Sequence, residues 1–328
     1  MSDLDDTAAR IYAERRPVTD PVARQYVLPA ARGRHVFCEK IVPDLLAGPE
    51  PQKEPLVVAL VGQHGAGKSR AASMIAGVLA GRGGFAELDS DLYLPYHPAY
   101  DALVRRDDTL MARYLGPDAW AWLAQARQYV RDRRINALSH ETASDGHGVA
   151  AHLRAYRQSG FRVEVMILAV PAAMSNQAII TRYLEQVADH SYGRLSVQAN
   201  ADQAYAGVLD VADLIDSQHL ADHAGVFRRG ESEPRYRNTL TAEGTWTTEP
   251  ALRKAIERER DRSWTAHETA DFLDTHRQLR TELGPQWTAR LDQIMAQAQP
   301  HLDRQQEHAH LLERARTSQA DWQLEAGT

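Results

Sequence analysis

One eight-residue stretch has the residue types and the spacing of a phosphate-binding loop. Residues 62–69 read Gly-Gln-His-Gly-Ala-Gly-Lys-Ser and match G-x-x-x-x-G-K-[ST] at every fixed position. In such a loop the glycines let backbone N–H groups surround a polyphosphate, the lysine reaches the β- and γ-phosphates, and the hydroxyl binds Mg²⁺. We therefore expect a nucleoside triphosphate to be bound by Gly62, His64, Gly65, Ala66, Gly67, Lys68 and Ser69.

Two groups of charged residues further along the chain can complete a phosphoryl-transfer site. Asp89 and Asp91 follow the short apolar run 85–88, and the ligands of parallel sheets bind beyond the carboxyl ends of the strands. One of these carboxylates can accept a proton from an attacking hydroxyl, while the other helps to hold Mg²⁺ through water. Arg182 and Arg194, carried on a flexible lid, can neutralise the transferring phosphoryl group. The alternatives are a capped turn at the two aspartates and ordinary surface arginines.

The histidines and the cysteine do not point to a metal cluster. His140, His147 and His152 are close in sequence, but their irregular spacing fits no metal template. Cys38 is the only cysteine, which excludes an intrachain disulfide and a cysteine-based zinc site. In a chain with 14 histidines, we interpret this grouping as a coincidence.

Alternating strands and helices must position these residues. The apolar run 56–61 precedes the loop and helical periodicity follows it, which is the strand–loop–helix order that the motif requires. The third strand is expected at 135–138 and the longest at 161–170. This alternation predicts an α/β fold of the P-loop type, with a parallel sheet covered by helices on both faces.

The alternation of strands and helices is confined to the middle of the chain. Residues 1–54 are interpreted as a helical extension and a turn-rich linker, and residues 55–244 as the core. Residues 245–328 are interpreted as a helical appendage, in which Thr265 can cap a helix and residues 287–295 carry one apolar stripe.

Composition restricts the partners and the location. The net charge of -6 argues against the basic face of a protein that binds duplex nucleic acid. No apolar stretch approaches the length that spans a bilayer, and the acidic start lacks the features of a signal peptide. We therefore expect a cytoplasmic protein with neither a nucleic acid nor a membrane as its partner.

Several motifs occur in a fixed order between about residue 55 and residue 238. In chain order they are the loop at 62–69, Asp89-Ser90-Asp91, His97-Pro98, Ala169-Val170-Pro171, Thr181-Arg182-Tyr183, Gly193-Arg194 and the hairpin around 226–231. The phosphate loop alone is unspecific, whereas the ordered set is more specific. This set resembles that of the zeta toxins, small-molecule kinases of bacterial toxin–antitoxin systems.

The resemblance implies a kinase with a P-loop fold. Such a kinase uses ATP and Mg²⁺ to phosphorylate UDP-N-acetylglucosamine, a nucleotide sugar. The resemblance also implies that Asp91 is the general base and that Lys68 and Ser69 handle the phosphates and Mg²⁺. Arg182 and Arg194 would then stabilise the transferring phosphoryl group. Zeta toxins are blocked by a small helical antitoxin, so such a protein is an expected partner. The residues expected to contact the acceptor are His97, Gln125, Glu141 and Thr142.

Two departures from the family pattern leave the acceptor open. Gln125 stands where family members have a glutamate that holds the substrate, and no arginine follows Glu141 where the family reads E-G-T-x-R. The alternatives are therefore a kinase with another acceptor, such as a nucleotide, a cofactor or an antibiotic hydroxyl, and a non-catalytic nucleotide-binding protein. The appendage has two interpretations as well: it packs on the core as a stabilising element, or it covers the site as a built-in inhibitor.

Overall fold

In the computed structural model, six strands form one mixed sheet with the order β2-β3-β1-β4-β5-β6. The structure describes residues 20–106, 111–190, 195 and 198–303, with only the backbone described at Ala112 and His190. All neighbouring strands are parallel except β5 and β6, which form an antiparallel pair at one edge. The strands are β1 Leu56–Val61, β2 Ala86–Leu88, β3 Ala137–Glu141, β4 Arg162–Leu168, β5 His223–Phe227 and β6 Pro234–Thr239.

Helices connect the parallel strands and extend the chain at both ends. The connection between β2 and β3 and the C-terminal extension each contain a 3₁₀ segment in addition to α-helices. In chain order the helical segments are α1 Pro21–Arg24, α2 Ala30–Val36, a π-helix Phe37–Leu46, α3 Lys68–Ala80, a 3₁₀-helix Ser90–Tyr96, α4 Tyr100–Arg106, α5 Met111–Arg133, α6 Gly146–Gln158, α7 Ala172–His190, α8 Gln198–Gln218, α9 Leu252–Asp261, α10 Ala266–Glu282, a 3₁₀-helix Pro285–Trp287 and α11 Thr288–Ala298.

The central strand β1 shows why both faces of the sheet are covered. All six of its residues are buried, and successive side chains point to opposite faces. Val57, Ala59 and Val61 share one apolar cluster with residues of α5, α6 and α8. Leu56, Val58 and Leu60 share another with the inner face of α3. A strand buried on both faces is typical of a parallel sheet, so the predicted α/β fold is confirmed.

The third strand begins later than predicted. The prediction at 135–138 is corrected to Ala137–Glu141, because Ile135 forms only an isolated bridge with Pro51. The side chain of Asn136 accepts from the N–H of Leu56 at 2.9 Å and donates to the Arg82 carbonyl at 2.9 Å. These two hydrogen bonds connect the amino-terminal end of β1 to the segment that leads into β2. The strand also ends later than predicted, and its last residue, Glu141, lies beside the phosphate loop.

The N-terminal extension shares the main core. Phe37, Ile41 and Leu46 of the π-helix belong to the same apolar cluster as β1. The indole N–H of Trp122, on α5, donates to the carbonyl of Gly33 at 2.8 Å. Because a buried apolar side chain contributes about 1.5–3 kcal/mol, these contacts attach the extension firmly to the sheet.

The C-terminal helices pack on α7 and α8. Ala173 and Ile180 of α7 share an apolar cluster with Phe272 on α10 and with Leu291 and Ile294 on α11, so part of the predicted stripe is buried there. The predicted cap of α10 is observed, with Thr265 and Glu268 forming a capping box. The three-part division of the chain stays a prediction. Within the described part of the chain, no helix is both long enough and apolar enough to cross a membrane.

Candidate active site

The phosphate loop is closed by a glycine that packs against the start of α7. Gly65 has φ = 73°, and a Cβ atom there would lie 2.2 Å from the carbonyl oxygen of Ser175. Gly67 also has a positive φ, 89°, and it is the residue from which α3 begins. Only glycine adopts these angles without strain and allows this approach. The loop therefore has the shape that directs backbone N–H groups and the positive end of a helix toward one point.

Lys68 lies on the carbonyls at the beginning of the loop. Its Nζ donates to the Gly62 carbonyl at 2.6 Å and to the Gln63 carbonyl at 3.1 Å. Burial lowers the pKa of Lys68 to about 8, with the nearby carboxylates of Asp89 and Asp91 acting in the opposite direction. The lysine is thus held inside the loop, mostly protonated at neutral pH, where an incoming phosphate would replace the two carbonyls.

Four charged residues from two strand ends and one helix lie around Lys68. Asp89 and Asp91 follow β2, Glu141 ends β3, and Arg182 lies on α7, and each is close enough to shift the pKa of Lys68. The loop is joined directly to β3, because the N–H of Gly62 donates to the Glu141 carbonyl at 3.1 Å. The structure therefore brings together the loop lysine, both predicted aspartates and one of the two predicted arginines. The other, Arg194, lies outside the described residues.

The two aspartates occupy a short turn that holds them side by side. The N–H of Asp91 donates to Asp89 Oδ1 at 3.0 Å, so Asp89 caps the 3₁₀-helix that contains Asp91. Burial, followed by repulsion from Asp91, raises the pKa of Asp89. His140 lies beside this turn, with Nε2 2.9 Å from Glu87 Oε1 and Nδ1 3.8 Å from Asp89 Oδ2. Two carboxylates that repel each other favour a cation between them.

Glu141 is paired inside the protein. Its side chain is 6% exposed, and Arg127 Nη2 on α5 donates to its Oε1 at 2.9 Å. The hydroxyl of Ser139 donates to the same oxygen at 2.7 Å, while His152 Nδ1 lies 3.6 Å from Oε2. Burial opposes the charge of Glu141, but Arg127 and His152 outweigh it and lower the pKa to about 2. This glutamate is therefore ionised and already has a cationic partner.

Arg127 was missed by the sequence analysis. It is 7% exposed and its Nε has no hydrogen-bond partner within the described structure. The sequence signal was weak, because several arginines lie nearby and nothing local distinguishes this one from those on a solvated helix face. The pairing with Glu141 depends on how α5 packs against β3, which is a tertiary contact.

The other predicted acceptor contacts lie in different surroundings. Thr142 is exposed directly after Glu141, and the next residue, Ala143, has φ = 62°, an unusual angle for alanine. Gln125 is 2% exposed and its Nε2 donates to the Ala121 carbonyl within α5 at 3.2 Å. Gln125 and Arg127 are two residues apart, so their side chains leave the helix about 200° from each other. The structure does not bring Gln125 to Glu141.

His97 lies in the packing between the extension and α5. The N–H of Ala99 donates to Nδ1 at 3.1 Å, so Nε2 carries the proton and donates to the Tyr26 carbonyl at 3.1 Å. Asp118 Oδ2 lies 3.4 Å from the same nitrogen. With 3% exposure, His97 is placed to hold the 3₁₀-helix of the aspartates against α5. Its predicted contact with the acceptor stays a prediction.

A second arginine near the loop also escaped the sequence analysis. The side chain of Arg229, after β5, lies 3.4 Å from the position of a Cβ on Gly67. Burial, followed by repulsion from Arg70, lowers the pKa of Arg229. The sequence places Arg229 in the predicted hairpin, but only the sheet order brings that hairpin beside the loop.

Oxygen donors that suit Mg²⁺ are available at the same edge of the sheet. Ser69 is exposed at the start of α3, and Asp89 lies beside Lys68. Mg²⁺ typically takes one or two carboxylates, with substrate phosphates and water completing its shell. No group of three His, Cys, Asp or Glu residues in the described ranges could hold a metal ion without such ligands. The donors present therefore fit an ion that arrives with a nucleotide.

Two of the cavities in the described structure lie at opposite ends of the parallel strands. One of about 220 Å³ adjoins the loop at Gln63 and His64, and α7, α8 and α11 complete its walls. A wider cleft of about 530 Å³ lies at the other end of the strands, near Leu56 and Arg162. Because the charged residues converge at the carboxyl ends, the wider cleft is remote from the candidate chemistry.

Several solved structures have a fold similar to that of this chain. A chain from the PezAT chromosomal toxin–antitoxin system of Streptococcus pneumoniae superposes with a TM-score of 0.64 and 16% identity, over 78% of this chain and 97% of that chain. A chain of the AvrRxo1-ORF1:-ORF2 complex with ATP superposes with a TM-score of 0.51 and 14% identity, over 89% of this chain and 88% of that chain. At these identities the likeness shows a shared fold.

The family assignment comes from the sequence itself. A comparison with functionally characterised proteins gives no match. The family model described as zeta toxin matches residues 44–241, which is more than half of the chain. This span contains the phosphate loop, the two aspartates and Arg182, so the resemblance expected from the motifs is confirmed. The chain belongs to the zeta toxin family.

Proposed function

We propose that this protein is a kinase that transfers the γ-phosphoryl group of ATP to a hydroxyl of a nucleotide sugar such as UDP-N-acetylglucosamine. The observation that carries the proposal is the charge arrangement around Lys68, where Asp89, Asp91 and Arg182 all act on one loop lysine. Phosphoryl transfer needs a cation for the phosphates, a base for the attacking hydroxyl and further positive charge for the transferring group. The ATP present in the AvrRxo1-ORF1:-ORF2 structure supports ATP as the donor.

The donor half of the site binds and orients the nucleotide. The loop amides and Lys68 take the β- and γ-phosphates, and Lys68 exchanges its contacts with the carbonyls of Gly62 and Gln63 for phosphate oxygens. Ser69 and Asp89 are the residues that would hold Mg²⁺. When bound, the ion neutralises phosphate charge.

The acceptor half provides the proton transfer. Asp91 is exposed at the carboxyl end of β2, where a hydroxyl can approach it. It accepts the proton of that hydroxyl while the oxygen forms a bond to the γ-phosphorus. The bond between the γ-phosphorus and the β–γ bridging oxygen breaks, and ADP leaves. Arg182 and Arg194 neutralise the charge on the transferring group.

One observation favours an acceptor other than UDP-N-acetylglucosamine. Glu141 is buried and paired with Arg127, so its charge is already balanced before any sugar hydroxyl arrives. The chain also lacks the family arginine after this glutamate. The second candidate is therefore a kinase of the same type that phosphorylates a nucleotide, a cofactor or an antibiotic hydroxyl.

The test is a direct assay of transfer. The purified protein is incubated with ATP, Mg²⁺ and UDP-N-acetylglucosamine, and products are identified by mass spectrometry, with Lys68→Ala as the inactive control. A phosphorylated sugar in the wild type alone supports the first candidate. A phosphorylated product from a panel of nucleotides, cofactors and aminoglycosides, but not from the sugar, supports the second. ATP binding without transfer to any acceptor would contradict both and favour a regulatory protein.

A separate small helical antitoxin is the proposed protein partner. The S. pneumoniae structure is of a toxin–antitoxin system, and this chain belongs to the zeta toxin family. If the proposal holds, expression of the chain alone slows growth, and Asp91→Asn removes this effect. Equal growth inhibition by both proteins would separate toxicity from phosphoryl transfer.

A further inference from the structure

An arginine from the C-terminal helices touches the phosphate loop. Arg260, near the end of α9, is 3% exposed, and its Nη2 donates to Gln63 Oε1 at 3.3 Å. Its guanidinium carbon lies 3.7 Å from the ring centroid of Tyr205 on α8, which is a close cation–π contact. The two contacted residues are 197 positions and 55 positions away in sequence, so only the packing of the appendage brings them together.

Gln63 connects this arginine to Lys68. Its Nε2 donates to the Val170 carbonyl at 2.8 Å and to the Ser175 hydroxyl at 2.7 Å. Because the amide nitrogen is directed to these two acceptors, the amide oxygen faces Arg260. The backbone carbonyl of the same residue accepts from Lys68 Nζ at 3.1 Å. A single residue therefore lies between the appendage and the lysine of the loop.

A role in packing alone does not explain Arg260, because burying its charge costs free energy. Within the described residues, its Nε and Nη1 have no hydrogen-bond partner. Burial lowers its pKa, and Tyr205, Asp261 and Glu257 offset this effect only in part. A buried cation with so few partners usually destabilises a fold relative to an apolar side chain of the same size. Its contact with the loop provides a reason for its presence.

We infer that Arg260 is a positioning residue that holds Gln63, and with it the carbonyl that contacts Lys68, in the shape that binds a nucleotide. The inference rests on the proposed function in that the loop must bind a nucleoside triphosphate. It assigns the appendage a part in nucleotide binding, beyond the stabilising and the inhibitory interpretations. The α9 helix is attached to α8 independently of this contact, through Arg253, whose Nε donates to Asp213 Oδ1 at 2.9 Å and to Oδ2 at 2.8 Å.

The experiment compares two arginines of the same helix. Arg260→Met removes the contact with the loop and keeps the volume, whereas Arg253→Met removes an anchor of α9 that does not touch the loop. For ATP we expect the Kd to rise about tenfold in Arg260→Met, the size expected for one hydrogen bond to a charged group. We expect kcat at saturating ATP to change by about twofold at most. Arg260→Lys, which keeps a donor near Gln63, recovers most of the affinity.

A second measurement does not depend on nucleotide binding. Hydrogen exchange of residues 62–68 in the nucleotide-free protein is expected to be faster in Arg260→Met than in Arg253→Met or the wild type, since only the first variant releases Gln63. Gln63→Met should itself weaken ATP binding, and adding Arg260→Met should weaken it no further.

The outcomes separate this inference from the proposed function. Wild-type affinity in Arg260→Met, or an equal loss in Arg253→Met, overturns the positioning role while leaving the kinase intact. If the wild type binds no ATP, the proposed function fails, and loop exchange decides the remaining question. Equal exchange in the two methionine variants then overturns the inference. If Arg260→Met does not fold, the same comparisons apply to Arg260→Lys, for which a partial loss of affinity is expected.

Discussion

The donor half and the acceptor half of the site balance their charges in different ways. In the donor half, Lys68 rests on two backbone carbonyls, and burial lowers its pKa to about 8. In the acceptor half, the pKa of Glu141 falls to about 2 because, against the effect of burial, Arg127 and His152 favour its charge. The lysine gains a better partner when a phosphate arrives, whereas the glutamate already has one.

This difference indicates where binding energy is available. A phosphate that replaces two carbonyls at Lys68 forms a charge-assisted contact in a low-dielectric site, which strengthens binding. A sugar hydroxyl at Glu141 would compete with Arg127, so the same glutamate contributes less to an acceptor than an unpaired one would. Asp91 and Thr142 are exposed, and under the proposed function they are the residues on which we expect acceptor binding to depend.

The largest effect is expected at Asp91, where a substitution should separate the acceptor half of the site from the donor half. Asp91→Asn keeps the shape of the turn but cannot accept the proton, so we expect kcat to fall about 10³-fold. The Kd for ATP should stay within about twofold of the wild type, because the donor half is untouched. Initial rates and calorimetric titration measure the two quantities. A parallel loss of nucleotide affinity would show that the two halves are not separable.

The next effect concerns stability, through the buried pair of the acceptor half. Glu141→Gln leaves Arg127 as an unpaired buried cation, and we expect the free energy of unfolding to fall by about 3 kcal/mol. Arg127→Met leaves the buried carboxylate of Glu141 without its arginine partner and should cost a similar amount. The double variant should lose less than the sum, which chemical denaturation can measure. Additive losses would mean that the pair is not coupled.

The same pair predicts a dependence on acid. The pKa of Glu141 in the folded protein, about 2, is below its ordinary value of 4.5. Its charge therefore contributes stability above pH 4.5, and this contribution is lost as the pH falls toward 2. The difference in unfolding free energy between the wild type and Glu141→Gln should shrink over this range. A constant difference would show that Glu141 is not the titrating group.

A smaller effect should follow from the lowered pKa of Lys68. In the free protein the lysine loses its proton above about pH 8, and a neutral amine binds phosphate poorly. The affinity for ATP should therefore be roughly constant below pH 8 and fall by up to about tenfold per pH unit above it. Lys68→Arg, which stays protonated, should flatten this profile. A wild-type profile that is flat to pH 10 would contradict the lowered pKa.

How much of this site can be predicted from the sequence depends on whether its contacts join residues that are near or distant along the chain. The shape of the loop at 62–69 can be predicted from the sequence, because the glycine angles, the start of α3 and the position of Lys68 all depend on local features. The pairing of Arg127 with Glu141 was not predicted, since it requires the packing of α5 on β3. The third strand was placed too early because Asn136 connects the amino-terminal end of β1 to the segment that leads into β2, a role that an apolar pattern does not reveal.

The smallest effect concerns Gln125, which the structure buries within α5. Gln125→Leu removes a buried Oε1 that has no hydrogen-bond partner within the described structure, so we expect a gain of about 1 kcal/mol in unfolding free energy. Since Gln125 leaves α5 on the side away from Arg127, the KM for the acceptor should stay within about twofold. Thr142→Val, beside Glu141, is the matched variant and should raise that KM several-fold. If Gln125→Leu raises the KM as much as Thr142→Val, the acceptor extends around α5 and the sequence-based role of Gln125 is right.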